Sequence, residues 1–346
     1  MKRREATAWL EEAIADECIA SLPTLEEMSH AIVSEAKRSS VLLIMIDGLG
    51  YRQLQQYRSY GRTLWQLLEG KVGRSTVPST TAAAISTLLT GNAPSDNRML
   101  GYSVHFQNRR MSLLQFNNDR GLAAQWIAGA TISERLARTH SAVAYLPERM
   151  HDSSFSAATL KQCRFRPRAR VASDWVASSN QLRYFAYAYW PEIDKAGHTY
   201  GVGSERWLEA LESVDFEVRQ AIRGNPRAAV YVTADHGMVN LQPRNRWHLD
   251  SKIYGIEWFA GEPRCLYLKL CDSSAISKLR ENIGNNALII EVPDELGALA
   301  GDVAVVASDT CSYFTVDGMT EAEMNLAGAH GGVTADELLV PMGRIK

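Results

Sequence analysis

Cysteine is scarce: Cys18, Cys163, Cys265, Cys271 and Cys311 are odd in number, scattered over 346 residues and without a CxxC spacing. A disulfide framework and a thiolate metal site are therefore both excluded as organising features. Long apolar runs are missing as well, since none approaches the roughly 18 residues that span a bilayer. The opening MKRREATAWLEEAIADECIA sets Glu11, Glu12, Asp16 and Glu17 where a signal peptide needs an apolar core. Cytoplasmic residence is the expectation. There is no excess charge of either sign, with 37 Lys+Arg against 39 Asp+Glu and a net charge of -2. No overall field recruits nucleic acid or an anionic membrane, and an anionic ligand must be held by local charge. Internal repeats, low-complexity tracts and Pro/Gly-rich linkers are absent too, so residues 1–346 read as a single domain.

What is present is a set of apolar runs of strand length separated by amphipathic helices. Val41, Leu42, Leu43, Ile44, Met45 and Ile46 follow one another without a polar residue, as in a strand buried on both faces. Similar runs recur at 141–147, 183–190 and 228–235. Between the later ones, Trp207, Leu211, Val214, Val218 and Ile222 form one stripe of the segment SERWLEALESVDFEVRQAIR. Residues 6–37 carry Trp9, Leu10, Ile14 and Ile19 at helical spacing and read as amphipathic helix on the outside of the core. Such alternation predicts an α/β fold, a doubly wound and mostly parallel sheet flanked by helices.

Ligands of such sheets bind beyond the carboxyl ends of the strands. Three acids stand there: Asp47 in IDGLG, Asp194 in DKAGH and Asp235 in TADHGM. His198 and His236 follow the last two, GAHGG brings His330 near the end, and VPSTTAAA brings a run of hydroxyls. Singly, each motif has an ordinary structural reading: an Asp-Gly turn, a hydroxyl helix cap, a packed histidine. Together they are what divalent cations of hard-to-borderline character need, and a hydroxyl between two such ions becomes a nucleophile at neutral pH.

The set IMIDGLG, VPSTTAAAISTLLTG, YWPEIDKAGHTYG, VTADHGM and GAHGGVTADELLVPM resembles the alkaline phosphatase superfamily, in particular its nucleotide pyrophosphatase/phosphodiesterase-like branch. Motif order matches over residues 41–343, with less likeness in 103–130 and 245–320, where small cap insertions are expected. The resemblance implies one metal held by Asp194, His198 and His330, and another by Asp47, Asp235 and His236 with the Thr81 oxygen added. Zinc is the implied ion, with manganese compatible. By position Thr81 is the nucleophile, with Thr80 as its rival, and a helix beginning there offers N–H groups to phosphate oxygens. The implied reaction is displacement by Thr81, a phospho-Thr81 intermediate and hydrolysis of that intermediate.

The pattern also departs from the branch. Tyr102 falls where the branch's diesterases place a phosphate-binding Asn; it reads equally as a donor of the same hydrogen bond through its phenol and as a Tyr packed at the sheet edge. The large nucleotide-binding additions are missing. The expected substrate is a small-molecule phosphodiester or pyrophosphate, with neither nucleic acid nor membrane as partner; no feature sets an oligomeric state. A phosphomonoesterase, a phosphonate hydrolase with the same site, and a regulatory component like the PglZ-type domains of phage defence are the alternatives. Arg164, Arg166, Arg168 and Arg170 read as a solvated surface rather than an anion-steering patch. Trp247 and His248 read equally as packing or as a pocket mouth, and His30, His105, His140 and His151 are given no role.

Overall fold

The computed structural model describes residues 9–177, 183–223, 228–272, 274–310 and 312–346. Its centre is a seven-stranded sheet in the order Val72–Arg74, Leu339–Arg344, Ala229–Thr233, Val41–Ile46, Tyr184–Trp190, Ser141–Leu146, Arg164–Pro167. Only Leu339–Arg344 runs against the others. All six residues of Val41–Ile46 and all seven of Tyr184–Trp190 are buried, the signature of central parallel strands covered on both faces. The doubly wound, mostly parallel α/β architecture expected from the apolar runs is thus the architecture found.

The helix Glu205–Ala221 begins at Ser204, whose hydroxyl accepts the Trp207 N–H, and it buries Trp207, Leu211, Val214 and Val218 against the sheet. Ile222 is its C-cap rather than part of the stripe. The expected helix over 6–37 is corrected. Residues 6–8 lie outside the described residues, and the remainder is broken into Glu11–Ala13, Glu17–Ala20 and Leu25–Ala36. Pro23 cannot donate to a helical ladder, and Thr24 with Glu27 forms a capping box that starts a new helix one residue later.

In the region 245–320 an antiparallel sheet forms, ordered Ile256–Glu262, Cys265–Leu270, Val303–Ala307, Ala287–Glu291. The helix Ser274–Ile283 covers it with Ala275, Leu279 and Ile283. Within 103–130 the hairpin Ser103–Phe106/Arg109–Ser112 and the helix Arg120–Trp126 share an apolar cluster with that sheet. No helix among the described residues is long and apolar enough to cross a membrane.

Candidate metal centre and active site

Ala229–Thr233, Val41–Ile46 and Tyr184–Trp190 are neighbours in register, so the chain leaving each carboxyl end enters the same space. Asp47 directly follows the middle strand, Asp235 lies two residues beyond its neighbour, and Asp194 sits in the first turn of the helix Glu192–Tyr200. The Asp194 N–H donates to the Asp47 carbonyl at 3.1 Å, and the Gly48 N–H to Asp235 Oδ1 at 3.0 Å. Gly48 has φ +73°, and a Cβ there would stand 2.7 Å from Asp194 Cα; only glycine lets the two acids approach this closely.

Three histidines complete the ring, each oriented in the same way. Nδ1 faces a backbone carbonyl in His198 (Gly328, 2.8 Å), His236 (Gly237, 2.9 Å) and His330 (Ser79, 2.9 Å). A carbonyl only accepts, so Nδ1 carries the proton and Nε2 turns a lone pair inward, the tautomer of a metal-ligating imidazole. His198 Nε2 lies 3.4 Å from Asp194 Oδ1, and His330 Nε2 3.7 Å from that same oxygen. His236 Nε2 lies 3.6 Å from Asp47 Oδ1 and 3.5 Å from Asp235 Oδ2. Ligand atoms of Asp47, Asp235 and His236 cluster within 4.8 Å of one another, as do those of Asp194, His236 and His330. His236 therefore stands between two groups that the sequence divided, its ring stacked on His330 at 3.6 Å.

The donor set fits divalent cations. Asp47 Oδ1, Asp194 Oδ1 and Asp235 Oδ2 are buried without a hydrogen-bond partner, and no lysine or arginine among the described residues pairs with them. Three bare carboxylate oxygens facing imidazole lone pairs cost too much in a dry site unless positive charge lies between them. Burial, and then the charges of Asp235 and Asp194, push the Asp47 carboxyl well above its ordinary value. Burial, and then the neighbouring His236 and His198, hold His330 well below its ordinary value, so it remains a neutral imidazole. The Tyr189 hydroxyl donates to Asp47 Oδ2, a contact the motif reading missed although Tyr189 lies in a run marked as strand.

Thr81 opens the helix Thr81–Thr90, and its Oγ1 lies 3.2 Å from His236 Nε2. Thr80, at the N-cap, makes no side-chain cap bond, so the ordinary reading of this hydroxyl run as a cap does not hold. Its side chain is buried and turned to the Glu262 carboxyl. Two cavities, of about 290 and about 340 Å³, meet at Thr81, Asp194 and Leu114. Tyr102 lines the second, together with His198 and His330.

Glu262 was not legible as a site residue. It closes the last strand-end of Ile256–Glu262, a stretch with no motif around it, and stands in the second cavity with Oε2 4.0 Å from His330 Nδ1. Burial pushes its carboxyl up to about 8. A fully buried ion pair, Arg264 with Glu337, lies behind: Glu337 accepts from Arg264 at 2.6 and 2.8 Å and from the Gly332 N–H at 2.9 Å, fixing the loop that carries His330. Away from the site, Arg166 and Arg170 pair with Asp174, and Arg168 with Glu192 and Glu217. Trp247 and His248 line neither cavity, and His248 bonds Thr315 and Asp317 instead.

Comparison with known proteins gives this geometry a context. A 93-residue segment is 30% identical to a bovine bis(5'-adenosyl)-triphosphatase, ENPP4, covering 25% of this chain and 20% of that relative. Murine ectonucleotide pyrophosphatase/phosphodiesterase 5 superposes with a TM-score of 0.60 at 16% identity, covering 87% of each chain. Phosphonoacetate hydrolase from Sinorhizobium meliloti 1021, in complex with phosphonoformate, superposes with a TM-score of 0.65 at 14% identity over 89% of this chain and 90% of that one. The family model that matches, over residues 41–283, is that of type I phosphodiesterase/nucleotide pyrophosphatase. The chain belongs to the type I phosphodiesterase/nucleotide pyrophosphatase family, within the alkaline phosphatase superfamily.

Proposed function

We propose that this protein is a phosphodiesterase that works with two divalent cations and uses Thr81 as its nucleophile. One observation carries the reading: three buried carboxylate oxygens without partners and three inward Nε2 lone pairs converge beside the Thr81 hydroxyl. Asp194, His198 and His330 would hold one cation, and Asp47, Asp235 and His236 the other, with zinc the ion best suited to a His/Asp set lacking Cys and manganese compatible. Bound there, the cations supply Lewis-acid neutralisation of charge on the phosphoryl oxygens and lower the proton affinity of the Thr81 hydroxyl.

The chain's own groups do the positioning. Tyr189 and the Gly48 N–H fix the carboxylates of Asp47 and Asp235, while backbone carbonyls fix the imidazole tautomers. The first-turn N–H groups of Thr81–Thr90, left free by Thr80, are available to phosphoryl oxygens. Tyr102, in the adjoining cavity, is the proposed further donor to the substrate. The Thr81 Oγ–P bond forms as the bond from phosphorus to the departing alcohol breaks; water then attacks phosphorus and Thr81 leaves, so diester and water become monoester and alcohol.

The test is a panel of bis-p-nitrophenyl phosphate, p-nitrophenyl phosphate, a nucleoside triphosphate and phosphonoacetate, each with and without chelator. Diester preference lost on chelation is the expected result. Preference for the monoester or for phosphonoacetate would replace the diesterase reading, and inactivity on all four with metal bound would favour a regulatory role.

A further inference from the structure

Two cavities meet at Thr81. The one of about 290 Å³ is walled by Ile85, Leu146, Met150, Phe155, Leu160 and Tyr187, and it opens onto Thr81 and Asp194. Hydroxyls also line it, but their protons are already spent: Ser153 donates to Ser156, Ser156 to the Met150 carbonyl, and Thr159 to the Phe155 carbonyl. Apart from the Arg149 and Lys195 side chains, the Tyr187 hydroxyl is the one lining donor without a protein partner among the described residues. No asparagine, glutamine or histidine lines the cavity. Its walls therefore offer few free donors to the acceptor atoms of a hydrogen-bonding group and much to hydrocarbon. At the mouth stand Arg149 and Lys195, exposed side chains with no ion-pair partner among the described residues.

We infer that this cavity receives an apolar, hydrocarbon-bearing substituent of a phosphoric diester, with Arg149 and Lys195 meeting the diester's negative charge at the entrance. The inference rests on the diesterase reading above and narrows its substrate class. Continuity with the reacting hydroxyl makes the cavity a substrate subsite. Flexible walls such as Met150 and Leu160 adapt to an alkyl or simple aryl group, whereas a nucleobase would bring carbonyl and ring-nitrogen acceptors that find almost no free donors on these walls.

The experiment uses zinc-loaded protein and p-nitrophenyl diesters whose second substituent is methyl, propyl or hexyl, beside thymidine 5'-p-nitrophenyl phosphate. Each added methylene is expected to raise kcat/KM roughly two- to fourfold, chiefly through KM, and the hexyl ester is expected to surpass the nucleoside ester. Met150→Glu should flatten the chain-length slope. Alkylphosphonates of the same lengths, followed by thermal shift on Thr81→Ala, should show the same slope without turnover. A flat series on wild-type protein, or preference for the nucleoside ester, overturns the inference alone. Turnover of none of the esters by metal-loaded protein sinks the hydrolase reading and this inference with it.

Discussion

His198 Nε2 stands 3.1 Å from His330 Nε2, and because both rings commit Nδ1 to a backbone carbonyl, two lone pairs face each other across that distance. Two acceptors so placed repel unless a proton or a metal lies between them, and burial holds His330 neutral. This pair joins the chain end near Gly328–Ala329 to the helix Glu192–Tyr200, across 132 positions of sequence.

Removing a ligand should therefore remove an ion. His198→Ala and Asp194→Asn are each expected to lower bound zinc from two equivalents to about one, read by elemental analysis after dialysis. Two equivalents retained in both variants would mean that the second site is built from other residues.

Thr81→Ala should lose diester turnover by at least about a thousandfold while metal content stays near the wild-type level, because the hydroxyl is one ligand among several but the sole proposed nucleophile. Thr80→Ala, whose hydroxyl turns to Glu262, should keep the larger part of kcat. An inverted order between the two variants would transfer the role to Thr80.

Glu262 should leave a mark on the pH dependence of stability. Its folded value, about 8, lies above the ordinary 4.5 because burial disfavours the carboxylate. Between those limits the native state holds a proton that the unfolded state has released, so in chelator wild-type stability falls as pH rises from about 4.5 to about 8. Glu262→Gln cannot ionise and should show a slope shallower by up to roughly 1.4 kcal/mol per pH unit, with melting temperature against pH as the readout. Parallel profiles for the two proteins would refute the buried neutral acid.

Arg264→Met should destabilise the fold by about 3–5 kcal/mol, since it strands the Glu337 carboxylate in a dry interior. Glu337 accepts from Gly332, so metal affinity should weaken along with stability. Urea unfolding measures the first effect and zinc titration the second; unaltered zinc affinity would uncouple this ion pair from the His330 loop.

Much of the site was legible because short-range chemistry marks it. Asp47, Asp194 and Asp235 each close an apolar run, and a run buried on both faces is visible without a partner. The split of ligands into two separate triads was less secure, since His236 also approaches Asp194 and His330, and only distances show this. The supposed helix over 6–37 misled because Trp9, Leu10, Ile14 and Ile19 keep helical spacing across a break where Ile14 turns extended and Asp16 caps a new helix. Pro23 with the Thr24 capping box enforces a second break beyond them.

By itself, then, the sequence determined the parallel core and marked the chemical kinds of the candidate metal-binding groups, because strand burial and motif spacing are properties of neighbouring residues. Tertiary structure alone decided that Thr81 rather than Thr80 faces His236, that Glu262 enters from the second sheet, and that the cavity beside Thr81 is apolar. Those outcomes depend on groups tens to hundreds of positions apart. Their placement follows from how the sheet and its covering elements pack, which no local pattern encodes.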